Sequence, residues 1–199
     1  MEVVEIFNSI QGEGCNMGIP CTFIRLYGCN LHCSFCDELS HRDSALAYKN
    51  TPLEILSKCM HKLIVVTGGE PTLQAEELKR FIRIAKSSGH IVAIESNGTY
   101  EHYDELDCYV VVSPKAEAMY AFFPSGVAEL KYVVTKEFNA DVAIPESVRK
   151  KFKHRIWLQP CDYGDSRLNS EMRRKAVEIA RKDERLRVGC QLHKILEVQ

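Results

Sequence analysis

Three cysteines stand within eight residues in the stretch "GCNLHCSFCD", at positions 29, 33 and 36, a C-x3-C-x2-C spacing. The chain holds nine cysteines, and the other six are scattered. Thiolates are soft ligands that favour zinc, copper(I) or iron–sulfur clusters. A structural zinc site is closed and four-coordinate, and is usually built from two separated ligand pairs. Here one C-x2-C pair carries one further cysteine and no second pair, so zinc would need His32 or His41 as its fourth ligand. A cubane 4Fe–4S cluster takes four cysteines for full ligation. Three cysteines leave one iron open, and an open iron can bind a cofactor or substrate, much as an open position on zinc does.

Composition narrows the setting of these thiols. At 199 residues the chain is long enough for one domain with a real core, and residues 1–199 are expected to form a single domain. The apolar content of 45% and charged content of 27% are those of an ordinary globular protein. A net charge of −1 gives no strong pull toward nucleic acid or an anionic membrane. "MEVVEIFNSI" lacks a basic segment followed by an apolar core, so no signal peptide is expected. No apolar run approaches the roughly 20 residues that span a bilayer. The expected compartment is the reducing cytoplasm, where clustered cysteines are metal ligands or redox groups rather than disulfides. The lone Cys59, Cys108 and Cys190 read as small buried hydrophobes.

Short apolar runs must position the polar motifs. They are "TFIRLY" at 22–27, "LIVV" at 63–66, "IVAIE" at 91–95, "YVVV" at 109–112, "LKYVV" at 130–134 and "RIWL" at 155–158. Their near-continuous apolar character suits strands covered on both faces. Helical patterns alternate with them. "TPLEILSKCMHK" begins with Thr51 as N-cap, Pro52 at the first helical position and Glu54 completing a capping box. "AEELKRFIRIAKSSG" places Leu78, Phe81, Ile82 and Ala85 on one face and stops near Gly89. "SEMRRKAVEIARK" places Met172, Ala176, Ile179 and Ala180 on one face, with Arg181 and Lys182 in the last turn. Strands alternating with helices predict an α/β fold with about six mostly parallel strands, a partial, open TIM-like barrel. Five strands run into polar motifs: the cysteine loop, "TGGEP" at 67–71, "SNGT" at 96–99, "SPK" at 113–115 and "QPCD" at 159–162. The carboxyl edge of a parallel α/β sheet is where ligands bind.

C-x3-C-x2-C after the first of these strands, with "GGEP" after the next, resembles the radical S-adenosylmethionine (SAM) superfamily. The resemblance implies that Cys29, Cys33 and Cys36 hold three irons of a 4Fe–4S cluster and that SAM chelates the fourth. One electron would cleave SAM to a 5′-deoxyadenosyl radical that removes a hydrogen from substrate, so no side chain is assigned as catalytic. Phe35, Cys36, Asp37, Gly69 and Glu70 would bind SAM, with Glu70 drawing its ammonium group. The adjacent Gly68 and Gly69, lacking β-carbons, would permit close approach.

Together with "FNSIQGEG" at 7–14, "LQPCD" and "QLHKILEVQ" at 191–199, these motifs resemble the 7-carboxy-7-deazaguanine synthase family from about residue 5 onward. That family carries out ring contraction of 6-carboxy-5,6,7,8-tetrahydropterin to 7-carboxy-7-deazaguanine with loss of ammonia, in queuosine and other 7-deazapurine biosynthesis. The resemblance implies Mg²⁺, a homodimer, and an external one-electron reductant such as flavodoxin or ferredoxin. It implies that Ile10, Gln11, Gly12, Arg25, Thr67, His193 and Gln199 contact the pterin. It also implies that Ser113, Pro114, Lys115 and Gln159, Pro160, Cys161, Asp162 bind SAM. Arg25 suits a carboxylate because its guanidinium is a two-pronged donor; the bland reading is a surface arginine on an edge strand. The chain departs from the family after "CD", where Glu38 replaces the usual Thr or Ser that binds Mg²⁺. A carboxylate is also a hard oxygen ligand, so Glu38 is the expected metal contact. The segment from Leu39 to Asn50 is brief, which implies a less covered site. Rival readings are a radical SAM activase that makes a glycyl radical on a partner protein, and a non-catalytic zinc- or cluster-binding module.

Overall fold

The computed structural model describes residues 1–115 and 125–199. Its strands are β1 (Glu2–Ile10), β2 (Pro20–Leu26), β3 (Tyr48–Lys49), β4 (Leu63–Gly68), β5 (Ile91–Ser96), β6 (Tyr109–Val112), β7 (Val127–Val134), β8 (Ile156–Pro160) and β9 (Leu186–Val188). The helices are α1 (Pro52–Leu56), α2 (Ala75–Ser87), α3 (Ala140–Ala143), α4 (Glu146–Lys151), α5 (Ser166–Lys182) and α6 (Leu192–Ile195). All nine strands join one open sheet in the order β3-β1-β2-β4-β5-β6-β7-β8-β9. From β2 through β9 every pairing is parallel, while β1 runs antiparallel to β2 and to β3. Among the described residues no helix is long and apolar enough to cross a membrane.

The six expected strands are present, and three more, β1, β3 and β9, extend the sheet. The β1 sequence "EVVEIFNSI" mixes charged and apolar residues without a clean period, and only Val3 in it is buried. Its partner makes it a strand: Ile6, Phe7 and Asn8 lie opposite Ile24, Phe23 and Thr22 of β2. β2 is therefore interior to the sheet, which removes the edge-strand reading of Arg25.

Strand alternation divides the sheet into two faces. Ile24, Ile64, Ile94, Val110, Leu130, Leu158 and their neighbours form the main core, packed with Leu78, Phe81, Ile82 and Ala85 of α2 and Ala176 of α5. The other face carries a small apolar plug of Cys21, Leu63, Val65 and Ala93, with Phe23 and Tyr109 against it. Beyond this plug, toward the strands' carboxyl ends, the same face becomes polar: Arg25, Thr67, Glu95, Ser113, Lys131 and Gln159 all line one cavity there.

Local signals place the helices, with adjusted ends. The Thr51–Glu54 capping box forms, with Thr51 N donating to Glu54 Oε2 at 2.7 Å and Glu54 N to Thr51 Oγ1 at 3.3 Å. α1 stops at Leu56, short of the predicted span, because the Met60 and His61 amides donate to Thr22 Oγ1 as the chain turns into β4. α5 starts at Ser166, before the predicted "SEMRR", because Asp165 caps Leu168 N at 2.8 Å.

Phe81→Ala should lower stability by about 3–5 kcal/mol, since its ring is fully buried. Leu53→Ala, at a side chain 66% exposed, should change it by less than about 0.5 kcal/mol. Denaturant midpoints of identically prepared variants check both, and equal midpoints would refute this placement of the core.

Candidate active site

The cavity at the carboxyl ends of the strands has a volume of about 470 Å³, within the range of small-molecule sites. Cys29, Cys33 and Cys36 all line it. Their loop is held at its root by backbone bonds: Gly69 N to Leu26 O at 3.2 Å, Glu70 N to Gly28 O at 2.8 Å, and Gly28 N to His41 O at 2.9 Å. The two glycines of "TGGEP" are what allow this. Gly68 sits at φ +132°, and a β-carbon there would fall 2.2 Å from Leu26 O. A β-carbon on Gly69 would fall 1.9 Å from Gly28 O. The close approach predicted for these glycines is thus to the cysteine loop's own backbone.

Glu70 stands elsewhere than expected. Its carboxylate is fully buried and does not line the cavity. Oε1 accepts from Thr72 N (3.1 Å), Thr72 Oγ1 (2.6 Å) and Ser96 Oγ (2.9 Å), and Oε2 accepts from Asn97 N (2.6 Å). Glu70 fastens the β4 loop to the β5 loop, and these four bonds are all to the protein's own groups. "SNGT" then reaches the cysteine loop: Asn97 Nδ2 donates to Asn30 Oδ1 at 2.9 Å, and Asn30 Nδ2 donates to Thr99 Oγ1 at 2.9 Å.

The thiols fit an iron–sulfur cluster. They converge on one cavity, and Leu31 N donates to Cys29 Sγ at 3.4 Å, the kind of contact that stabilises a ligating sulfur. Burial pushes the Cys33 thiol up, and so do the neighbouring Cys36 and Cys29, whereas Lys115 opposes the shift. Bound metal would remove this mutual repulsion of thiolates. Of the two histidines that zinc would need as a fourth ligand, His32 does not line the cavity and His41 does.

On the β1–β2 side, Arg25 Nε donates to Glu5 Oε1 at 2.7 Å, and its NH2 lies 3.3 Å from Glu38 Oε2. Its guanidinium sits over Phe7, 5.6 Å from the ring centre, and Phe7 stacks on Phe23 at 5.0 Å. Ile10, Gln11 and Thr67 line the cavity with them. Gln11 Nε2 donates to Glu95 Oε1 at 3.1 Å. Lys131 Nζ bridges Glu95 Oε2 at 2.6 Å and Glu13 Oε2 at 2.5 Å. Burial works against the Lys131 charge, but the two carboxylates hold its pKa above the ordinary lysine value. Gly12 does not line the cavity; it is the floor under His193, whose Nδ1 would lie 2.0 Å from a β-carbon at Gly12. Burial holds the His193 imidazole below its usual pKa. Gln199 Nε2 donates to Glu5 Oε2 at 2.9 Å, and its carbonyl accepts from Ser9 Oγ.

On the cysteine-loop side, Lys115 Nζ donates to Ser113 Oγ at 2.8 Å and lies 5.7 Å from the centre of the Phe35 ring. Pro114 lines an adjoining recess with Phe35 and Lys115 instead of the main cavity. Gln159, Pro160, Cys161 and Asp162 line the main cavity, and the buried Oε1 of Gln159 has no hydrogen-bond partner. Lys194 Nζ joins two of the predicted residues, at 2.6 Å from Asp162 and 3.5 Å from Asp37, while Gln191 Nε2 donates to Asp37 at 3.0 Å.

Phe7, Phe23, Glu13, Glu95, Lys131, Gln191 and Lys194 were not anticipated. Some carried a signal: Glu95 and Lys131 are charges inside apolar strand runs, where lysine and glutamate are seldom fully buried unless paired. Glu13, Gln191 and Lys194 lie within "SIQGEG" and "QLHK". The lone cysteines are only partly buried. Cys59 and Cys108 pack against the core, their thiols pushed up to about 11 and about 12 by burial; Cys190 approaches Met17 Sδ at 3.8 Å.

Gly69→Ala should displace the cysteine loop and lower iron and sulfide content after reconstitution, with far-ultraviolet circular dichroism preserved; full cluster loading would refute the close-approach role. The Lys194 hydrogen bond, then those from Gly164 and Asn169, hold Asp162 down to about 2. A carboxyl in the unfolded chain titrates near 3.9. This contribution is therefore present above the ordinary value and lost as pH falls through about 2. Asp162→Asn should flatten that part of the acid unfolding curve, and an unchanged curve would count against the clamp.

Comparison with known proteins agrees with this geometry. The radical SAM superfamily profile matches residues 23–114. The 7-carboxy-7-deazaguanine synthase of Aquifex aeolicus is 34% identical, over 98% of this chain and 93% of that protein. That of Rickettsia prowazekii is 32% identical over 100% of this chain and 89% of that protein, and that of Bacteroides thetaiotaomicron is 30% identical over 100% and 98%. The crystal structure of QueE from Escherichia coli shares the fold, with a TM-score of 0.65 at 24% identity over 96% of this chain and 94% of that one. A C-x3-C-x2-C loop set on an open, mostly parallel sheet, with full-length relatives of one kind, places this chain in the 7-carboxy-7-deazaguanine synthase family of the radical SAM superfamily.

Proposed function

We propose that the cavity carries out the ring contraction of 6-carboxy-5,6,7,8-tetrahydropterin to 7-carboxy-7-deazaguanine with loss of ammonia, in the making of queuosine or another 7-deazapurine. The observation that carries this reading is that three cluster-ligand thiols and Arg25 face one cavity. When bound at Cys29, Cys33 and Cys36, a 4Fe–4S cluster with SAM supplies a carbon radical able to take a hydrogen atom from substrate.

The chain's own residues bind and orient. Arg25 presents donors to a substrate carboxylate, and Glu5 and Glu38 hold the guanidinium in place until that carboxylate competes for it. Phe7 and Phe23 offer an aromatic wall, and Gln11, with its amide fixed by Glu95, offers polar edges suited to a pterin. His193, its imidazole pKa lowered by burial, offers ring nitrogens there. Phe35, Ser113, Lys115 and the stretch Gln159 to Asp162 form the side assigned to SAM. Glu38 would supply carboxylate oxygen to Mg²⁺. We further propose one domain over residues 1–199, a homodimer, a cytoplasmic setting, and flavodoxin or ferredoxin as reductant.

The test is anaerobic assay of reconstituted protein with SAM, dithionite, Mg²⁺ and 6-carboxytetrahydropterin, read by mass spectrometry. Product formed over repeated turnovers on substoichiometric SAM is expected. SAM cleavage with the pterin left intact would overturn the synthase reading in favour of the glycyl-radical activase. Arg25→Lys should lose about 1.5–3 kcal/mol of carboxylate binding, seen mainly as a raised KM.

A further inference from the structure

The pairing of β1 with β2 has one irregularity, and it lies beside the cavity. Val3 stands opposite Leu26 and Glu5 opposite Arg25, so the register steps over Val4. Side chains alternate between the two faces of a strand. Val3 is buried in the helix-packed core with Leu26, and an unbroken strand would send Glu5 into that same core. The extra residue reverses the alternation. Glu5 meets Arg25, and Phe7, two residues on, stacks on Phe23 along the same side. Bulges next to active sites re-aim a side chain, and here the side chain re-aimed is Glu5.

The bulge yields a carboxylate with two engaged ends. Oε1 accepts from Arg25 Nε at 2.7 Å, and Oε2 accepts from Gln199 Nε2 at 2.9 Å. Glu5 does not itself line the cavity, whereas Arg25 and Gln199 do. With Nε engaged, NH1 and NH2 form the two-pronged end of the guanidinium that can meet a carboxylate. NH2 has the longer 3.3 Å contact to Glu38, and NH1 has no hydrogen-bond partner among the described residues. A carboxylate entering the cavity can displace Glu38 and leave Glu5 in place. The Arg25 side chain is only 14% exposed, so little water competes with Glu5 in deciding where it points. We propose that Glu5 is a positioning residue whose one carboxylate fixes both the Arg25 fork and Gln199, and that it thereby sets the preference for a 6-carboxylated pterin over one without the carboxylate. The inference rests on the reading of Arg25 as partner of the substrate carboxylate.

The probes are 6-carboxypterin and pterin, which share a ring system and differ in the carboxylate. Each is bound by equilibrium dialysis to cluster-loaded protein with SAM present and dithionite omitted. The unmodified protein should prefer 6-carboxypterin. Glu5→Gln should weaken 6-carboxypterin by about 10-fold, the scale of a hydrogen bond to a charged group. It should change pterin by no more than about 2-fold, the tolerance for groups that do not interact. In an Arg25→Met background the Glu5→Gln substitution should change neither probe beyond that tolerance, because Glu5 acts through Arg25. Glu5→Asp keeps the charge but is one methylene too short to span both partners, so it should also lower the preference; it decides the matter if Glu5→Gln fails to load a cluster. Equal weakening of both probes, an unchanged preference, or the same loss in the Arg25→Met background would overturn the inference. An unmodified protein with no preference would overturn it together with the carboxylate reading of Arg25. If product forms from 6-carboxytetrahydropterin while Glu5→Gln and Glu5→Asp keep the preference, the synthase reading stands and the inference falls. If the preference depends on Glu5 while the reduced protein leaves that pterin intact, the inference stands and the synthase reading falls.

Discussion

The site depends on one close backbone approach, that of Gly68 and Gly69 at the end of β4 to Leu26 and Gly28 at the root of the cysteine loop. No side chain fits between them, and the hydrogen bonds from Gly69 and Glu70 to Leu26 and Gly28 leave little freedom in how the loop leaves β2. A loop that must bring three thiols to one point gains precision from a rigid anchor. Glu70 extends the anchor sideways, with four donors from two loops meeting its buried carboxylate. Burial pushes that carboxyl's pKa up, and the donors from Asn97, Thr72 and Ser96 oppose it. The carboxyl ends of β2, β4 and β5 are thereby joined into one frame.

The two faces of each strand do different work. Leu130 and Tyr132 of β7 pack in the main core, while Glu129 and Lys131 between and beside them face inward. Glu129 accepts from Trp157 Nε1 at 2.8 Å and from Cys15 N at 3.2 Å, while Lys131 bridges Glu13 and Glu95. These inward charges are tolerated because each is met by partners, and removing one partner of a buried ion pair typically costs 3–5 kcal/mol. The polar interior is thus an expense borne by the helix-packed face, where most of the large apolar side chains lie.

The open side of the sheet is crossed by residues after β9. Leu192 N donates to Gly12 O at 3.0 Å, His193 rests on Gly12, and Lys194 pairs with Asp162 and Asp37. Residues 9 and 199 meet through the Ser9 hydroxyl and the Gln199 carbonyl. The early and late segments therefore complete the cavity jointly, and the brief segment after Glu38 brings His41 back under the cysteine loop through the Gly28 bond to its carbonyl.

Local chemistry made much of this readable. Cysteine spacing determined the kind of metal centre, because ligand number and softness are properties of a few residues close in sequence. The Thr51–Glu54 box and the α2 face of Leu78, Phe81, Ile82 and Ala85 were equally local, and both formed as predicted. What depended on distant partners was not readable. β1 is a strand because β2 pairs with it, Glu70 is a structural hub because Ser96 and Asn97 come to it, and Glu13, Glu95 and Lys131 form one group across 118 residues of chain. The sequence by itself determined which chemistry the thiols can do and which residues can build helices and strands. Only the tertiary structure decided which buried charges meet and which polar group, such as His41, is left without a partner, because pairing across a sheet depends on folding geometry that no local pattern encodes.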